Sequence, residues 1–146
     1  MSDKCFVDTN ILLYAHDRSA GIKHTRAKAL LKELWDSQRG VVSTQVLQEF
    51  CANVRKKTGA SLPLAEVRAL LEDYLEWEIV LNLPRSIPKA LDLEMSYRIS
   101  FWDALIFHAA QESGASILYS EDLNPGQQYG SIQVINPLTD SSGVPS

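Results

Sequence analysis

The stretch Cys5-Phe6-Val7-Asp8-Thr9-Asn10-Ile11-Leu12-Leu13-Tyr14 decides how the rest of the chain is read. Its apolar opening predicts a strand at about residues 4 to 8, and the apolar residues from Ile11 to Tyr14 predict a short helical stretch directly after it. A strand apolar on both faces belongs inside a parallel sheet covered by helices. The acid that ends it is the anomaly. A carboxylate at the C-terminal edge of a buried parallel strand costs free energy unless it is paired or bound to a cation, and that edge is where open α/β sheets bind ligands. Asp8 is therefore the first candidate functional residue.

Working outward, strands and helices alternate. Ala27, Leu30, Leu31 and Leu34 recur at helical spacing between His24 and Ser37, and Gly40 closes the connection before the apolar pair Val41-Val42. The next helix starts at Ser43 or Thr44, carries Val46, Leu47, Phe50, Cys51 and Val54 on one face, and closes at Lys56-Lys57-Thr58-Gly59. Pro63 opens another helix with the stripe Leu64, Val67, Leu70, Leu71, Tyr74 and Leu75, followed by the strand-like Ile79-Val80-Leu81 and a turn from Asn82 to Arg85. Ser86 and Pro88 open a helix reaching Arg98 or Ile99, and Ser100 with Asp103 forms a capping box for a helix that ends at Gly114. Its apolar stripe reads Trp102, Leu105, Ile106, Ala109 and Ala110. Two short strands, Ser116 to Tyr119 and Ile132 to Ile135, flank the turn-rich Asn124-Pro125-Gly126. This alternation predicts an α/β protein: a three-layer α/β/α sandwich around a central, mostly parallel sheet.

The 146 residues, 45% of them hydrophobic, suit a single domain, expected over residues 1–138 with a loose tail over 139–146. No apolar run approaches the roughly 18 residues needed to span a bilayer, and the polar start is unlike a signal peptide, so a cytoplasmic protein with no membrane partner is expected. Cys5 and Cys51 read as buried thiols, and no Cys/His cluster has zinc spacing.

Three further acids stand at informative places. Asp122 follows the fourth strand, so it shares the sheet edge with Asp8 if the two strands are parallel neighbours. Asp103 lies in the first turn of its helix, from which its carboxylate reaches the same edge. Glu49 lies about 60° beyond Val46 on its helix, flanking the apolar face rather than opposing it. Gln45, Asn53 and Lys56 share that flank. Taken singly, each acid has a plain reading: Asp8 as a helix N-cap with Thr9 and Asn10 as turn formers, Asp103 as the third residue of a capping box, Asp122 as part of a turn, Glu49 as a solvated helix residue. Four such acids converging on one edge instead point to a cation site. Mg²⁺ and Mn²⁺ prefer oxygen ligands and are commonly held by a few carboxylates together with substrate phosphate oxygens. Phosphodiester hydrolysis is the reaction that such a site serves. The net charge of −4 does not exclude a nucleic acid, because setting these four acids aside leaves the remainder formally neutral.

The fragments FVDTNILLYA, STQVLQEF, RISFWDALI and LYSEDL, taken in order, resemble the four acidic motifs of the PIN-domain ribonucleases. More narrowly, the chain resembles the single-domain VapC-type toxins of VapBC toxin–antitoxin modules. The resemblance covers nearly the whole chain. It implies Mg²⁺- or Mn²⁺-dependent endonucleolytic cleavage of RNA with Asp8, Glu49, Asp103 and Asp122 as metal ligands. It also implies supporting roles for Asn10, orienting Asp8 or a metal-bound water, and for Ser120 at the strand end. A cognate antitoxin and a homodimer are implied too, with the helices around residues 22 to 37 and 62 to 77 as candidate contact surfaces.

Other residues carry weaker signals. Arg55, Lys56 and Lys57 make a favourable helix terminus and lie within two turns of Glu49, where they could guide an RNA backbone. Glu121 is expected to point away from Asp122. His16, His24 and His108 share no spacing that suggests a triad, and His108 lies off the apolar stripe of its helix. Trp35, Trp77 and Trp102 read as core or interface anchors rather than base-stacking groups. Two alternatives belong to other functional classes. A phosphoaspartate phosphatase or receiver domain also places an Asp at a strand end near Mg²⁺, but the former wants a second Asp where this chain has Asn10, and the latter wants an acidic pair at the first strand. A catalytically silent binding module is disfavoured by the presence of all four acids.

Overall fold

A computed structural model of the protein describes residues 3–57, 62–123 and 128–139, excluding the side chains of Lys57 and Gln128. The expected Thr58-Gly59 helix stop, the Asn124-Pro125-Gly126 turn and all but the first residue of the expected tail lie outside these residues. Among the described residues no helix is long and apolar enough to cross a membrane.

The elements alternate as expected: β1 (Cys5–Val7), α1 (Thr9–Ala15), a short 3-10 turn (Arg18–Ala20), α2 (Ile22–Ser37), β2 (Gly40–Ser43), α3 (Thr44–Lys57), α4 (Leu64–Tyr74), β3 (Glu78–Val80), α5 (Ser86–Tyr97), α6 (Phe101–Ser113), β4 (Ile117–Tyr119), β5 (Gln128–Tyr129) and β6 (Ile132–Ile135). The sheet runs β3-β2-β1-β4-β6-β5. β1, β2, β3, β4 and β6 are parallel, with Phe6 registered against Val41 on one side and Leu118 on the other. Among the described residues only β5 runs antiparallel, against β6. Every residue of β1 and β2 is buried, the mark of central parallel strands covered on both faces.

The chain steps from β1 through β2 to β3 in one direction, then returns past β1 to β4. Because crossovers of this kind are right-handed, the two outward steps put α1 to α4 on one face, and the return puts α5 and α6 on the other. The packing agrees: α1 touches α2 and α3, and α3 touches α4, whereas α5 lies on α6 and α6 on β2 and β3. The result is the expected three-layer α/β/α sandwich. The order reverses between β1 and β4, so their C-terminal ends form the crevice where ligands enter such sheets.

Three details differ from the sequence reading. β3 covers Glu78–Val80, leaving Leu81 outside and 62% exposed, because β2 supplies partners only as far as Ser43 opposite Val80. β5 is a two-residue strand without local signal, formed by pairing with β6 and anchored by buried Tyr129, whose ring meets Tyr97 and Phe107 edge-on. On α6 almost the whole circumference from Ala104 to Ala110 is buried between the sheet and α5, including His108, while Trp102 is 62% exposed instead of joining the apolar stripe.

Gly40 illustrates how tightly the opposite, N-terminal edge is packed. A Cβ built there would stand 2.5 Å from the ring of Trp77, which itself stacks edge-on against Trp35 and Tyr74. The substitution Gly40→Ala is expected to lower stability by about 1–3 kcal/mol by displacing this aromatic group. Chemical denaturation measures it, and an unchanged midpoint would show that Trp77 yields freely.

Candidate active site

Asp8 sits one residue beyond β1, and its own N–H still donates to the Tyr119 carbonyl at 3.0 Å, extending the ladder. Its backbone is extended (φ −75°, ψ 160°), so it ends the strand and caps α1 at once. The carboxylate, only 4% exposed, accepts the Thr9 N–H at 2.7 Å and the Ser120 hydroxyl at 2.9 Å. Ser120 occupies the equivalent place beyond β4, fully buried, with its N–H donating to the Ile135 carbonyl. Its hydroxyl also accepts the Asp122 N–H at 3.1 Å, so one side chain ties both strand ends together.

Around this pair gather the other expected residues. Carboxylate oxygens of Asp8, Asp103 and Asp122 lie within 4.8 Å of one another. Asp103 arrives from the opposite layer: Ser100 caps α6 by accepting the Asp103 N–H at 3.1 Å, which sets the first turn so that Asp103 overhangs the sheet edge. The capping role and the cluster role therefore coincide. Glu49 faces the same open cleft from α3, outside that mutually close set. Its oxygens accept the Thr9 hydroxyl at 2.6 Å and the Gln45 amide at 3.4 Å, and its backbone carbonyl accepts the Asn53 amide at 2.7 Å. Asn10 donates to both oxygens of Asp122, at 3.2 and 3.1 Å, rather than turning to Asp8. Residues two apart at a helix start do not face each other, so Asn10 on α1 spans to the β4 side instead.

The electrostatics follow from the burial. Desolvation pushes the Asp8 carboxyl up to about 7, against the opposing hydrogen bonds from Ser120 and Thr9 and with added repulsion from Asp122 and Asp103. Asp103 is raised as well, by desolvation first and by Glu49, with a hydrogen bond from Ser100 opposing. Negative charge on buried Asp8 and half-buried Asp103 thus comes at a cost, beside the exposed Asp122, which favours binding of a compensating charge. The donors are all oxygens, and the chemistry of that set fits a hard divalent cation such as Mg²⁺ or Mn²⁺.

The remaining candidates fall in other places. Arg55 and Lys56 are exposed on α3, and Lys56 follows Glu49 by two helical turns on the same face, about 10 Å along the axis. Lys57 belongs to α3 by its backbone, and its side chain lies outside the described residues. Glu121 turns away from the cleft to pair with Lys23 and accept the Tyr14 hydroxyl. The histidines stand apart: His16 meets the Tyr74 hydroxyl, His24 the Tyr14 carbonyl, and His108 lies near Glu112. Two groups on the cleft wall went unrecognised in the sequence. Thr9 looked like a turn former, and its only signal was its place between Asp8 and Asn10. Trp102 read as a core or interface anchor because its spacing matched the apolar stripe of α6.

The buried Asp8 links stability to pH. Its folded pKa lies above its unfolded value, so between about pH 4 and pH 7 the folded state holds the proton more strongly, and metal-free protein loses stability through this group as pH rises. The variant Asp8→Asn is expected to be more stable than the intact metal-free protein at pH 8, by at most about 4 kcal/mol, with the gap closing towards pH 4. Adding Mg²⁺ should stabilise the intact protein and not the variant. Denaturation curves in EDTA and in Mg²⁺ at both pH values test this, and parallel pH profiles for the two proteins would contradict it.

Comparison with known proteins adds family and fold. A search of curated protein sequences finds no match. Among solved structures the chain resembles VapC20 of Mycobacterium tuberculosis, described as a sarcin-ricin loop cleaving toxin, with 20% identity and a TM-score of 0.63 over 82% of this chain and 90% of that one. It also resembles a chain of a toxin-antitoxin complex from Klebsiella pneumoniae, with 20% identity and a TM-score of 0.65 over 92% of this chain and 98% of that one. At such identity these likenesses speak for the fold. The model of the PIN domain matches residues 5–127, a span that holds β1, the switch-point crevice and all four acids. With its parallel sheet, its reversal at β1 and β4 and this match over most of its length, the chain belongs to the PIN domain family.

Proposed function

We propose that the protein is a metal-dependent endoribonuclease that hydrolyses RNA phosphodiester bonds, and that it is the toxin of a toxin–antitoxin pair. The observation that carries the proposal is the convergence of Asp8, Asp103 and Asp122 within 4.8 Å at the sheet's switch point, beside Glu49. Family membership and the toxins among the similar folds support the same reading.

In this reading Asp8, Asp103 and Asp122 hold Mg²⁺ or Mn²⁺, with Glu49 as a further ligand on the opposite wall in a one- or two-metal arrangement. The bound cation would supply Lewis-acid polarisation of a phosphate oxygen and a water acidified enough to attack at neutral pH. The chain's own residues do the positioning. Ser120 and the Thr9 N–H fix the buried oxygens of Asp8, Asn10 fixes Asp122, and the Thr9 hydroxyl and Gln45 fix Glu49. Such supporting bonds matter because a carboxylate free to rotate loses both affinity and aim. Arg55 and Lys56 on the same helix as Glu49, with Lys57 beyond them, are proposed to meet the RNA backbone, where each phosphate contact adds salt-dependent affinity.

The antitoxin is proposed to inhibit by placing an arginine in the carboxylate cleft, since a guanidinium pairs with carboxylates through two parallel hydrogen bonds. A homodimer is proposed as well. Exposed apolar side chains occur on α2 at Ile22 and around α4 at Leu64 and Leu75, and they form a regular stripe on α5 at Ile87, Leu91 and Met95. A stripe at that spacing lies along one face of its helix, as a two-fold contact between copies requires.

The deciding experiment is cleavage of structured and single-stranded RNA by purified protein with Mg²⁺, Mn²⁺ or EDTA, beside Asp8→Asn and Asp103→Asn. Cutting is expected with either metal and not with EDTA, and each variant should fall by roughly 100-fold or more. Cutting that persists equally in both variants would reject the site. A second test concerns positioning: Thr9→Val removes the hydroxyl bonded to Glu49 and is expected to lose roughly 10- to 100-fold in activity, with Thr9→Ser restoring most of it. Full activity in Thr9→Val would detach that hydroxyl from function.

A further inference from the structure

A second cavity, of about 260 Å³, opens between the end of α1, the 3-10 turn, α2 and α4, and it shares no lining residue with the carboxylate cleft. His16 caps α1, Arg18 opens the turn, His24 and Lys28 come from α2, and Tyr74 closes α4. Among the described residues no acid lines this cavity, although the chain as a whole carries a net charge of −4. The acid between His16 and Arg18, Asp17, is taken up by the N–H and hydroxyl of Ser19. Other cations of α2 have partners: Lys23 pairs with Glu121, Lys32 with Asp36, and Arg26 donates to the Thr139 carbonyl. Arg18 and Lys28 have no such partner among the described residues. A cleft lined by one sign of charge concentrates the field and raises the local concentration of counter-ions.

The two histidines add to that field when they take up protons. His24 Nδ1 lies 2.9 Å from the Tyr14 carbonyl. A carbonyl only accepts, so Nδ1 carries the proton of the neutral ring and Nε2 is the nitrogen that gains one as pH falls. His16 Nε2 lies 2.7 Å from the hydroxyl of buried Tyr74. Burial holds that phenol above its ordinary range, so it stays protonated and can either donate to the ring or accept from it, which suits both charge states of His16. From α3 the cavity's neighbour is the uncharged ring of Phe50, 5.5 Å from that of His16. His16 is held below its ordinary range by desolvation first and then by His24 and Lys28. An anion among these groups opposes the last two effects.

Donors that converge from a helix cap, a turn and a second helix suit a tetrahedral oxyanion better than a planar carboxylate. Arg18 offers a fork that matches two oxygens, Lys28 a compact charge, and each histidine an N–H. The cavity is several times the roughly 30 Å³ that a water molecule takes up in the liquid, and Ala15 and Leu31 give it an apolar wall, which leaves room for an organic substituent. We propose that this cavity binds a phosphate group, carried by a small phosphomonoester or free in solution, through Arg18, His24 and Lys28 with His16 joining them, and that binding draws protons onto the two histidines. The inference stands apart from the nuclease reading, since none of these residues belongs to the carboxylate cleft.

The test follows the histidine ring signals of the full chain by NMR. The chain has three histidines, so His108 on α6 serves as an internal control. Sodium sulfate, which stays dianionic near neutral pH, inorganic phosphate and glycerol phosphate are added in turn, against sodium chloride at equal ionic strength. Sulfate is expected to move the signals of His16 and His24, to raise the pH at which both titrate, and to leave His108 in place. It should bind roughly 10-fold tighter at about pH 6 than at about pH 8, and His24→Gln should remove most of that difference. Arg18→Gln and Lys28→Gln, both at exposed positions, should each weaken binding roughly 10-fold with an unchanged circular dichroism spectrum. Tighter binding of glycerol phosphate than of phosphate would support the site and identify the monoester as its ligand, whereas equal affinity would support it with free phosphate as the ligand. Three histidines moving alike, chloride acting as well as sulfate, or full binding in an Arg18→Gln, Lys28→Gln double variant would overturn the site. A response to RNA without a response to any small anion would overturn it as well.

Discussion

Everything in the cleft depends on a carboxylate being held where a protein interior least tolerates one. Asp8 ends a strand buried on both faces, and its oxygens are kept from water by Ser120 and by the first turn of α1. Two hydrogen bonds are too few to satisfy an ionised carboxylate, and the nearby Asp103 and Asp122 add repulsion. The carboxylates therefore repel one another, and in the proposed reading a divalent cation would relieve that repulsion.

The remainder of the fold can be understood as the frame that keeps this arrangement in place. Switching the chain direction between β1 and β4 brings Asp8 and Ser120 side by side, because parallel neighbours end at the same edge. The same switch sends α6 to the face opposite α1 and α3. Asp103 therefore approaches from one layer and Glu49 from the other, closing the cleft from both sides of the sheet. Capping adds economy: the bonds that start α1 and α6 also aim Asp8 and Asp103. The plain reading of these residues as helix caps is correct, and it is also how the site is built.

Much of this was legible in the chain, and the exceptions share a cause. Buried runs such as Phe6-Val7 and Val41-Val42, together with the helical stripes between them, identify the alternating elements because local periodicity reports which face is covered. Asp8 and Asp122 could be placed at a common edge because both follow strands directly. The resemblance implied that Asn10 orients Asp8 or a metal-bound water, and the fold adds a contact that local order does not report, its donation across to Asp122. Of the two readings of Trp102, core or interface anchor, its exposure removes the first, because helical spacing alone cannot say how far a buried stripe extends towards an open end. His108 erred in the opposite direction, since α5 covers a side of α6 that periodicity would leave to water. β5 was missed because a two-residue strand is created by its partner.

The sequence by itself determined the alternation of strands and helices, the acids at the element ends and the family to which they belong, since these are properties of local order and motif. Only the tertiary structure decided which carboxylates stand within reach of one another, that Thr9, Gln45 and Asn10 support them, and that Trp102 faces the cleft. Most of those facts depend on contacts between residues far apart in the chain, as from Thr9 to Glu49 and from Asn10 to Asp122, and such contacts exist only once the sheet has assembled and the helices have taken their sides.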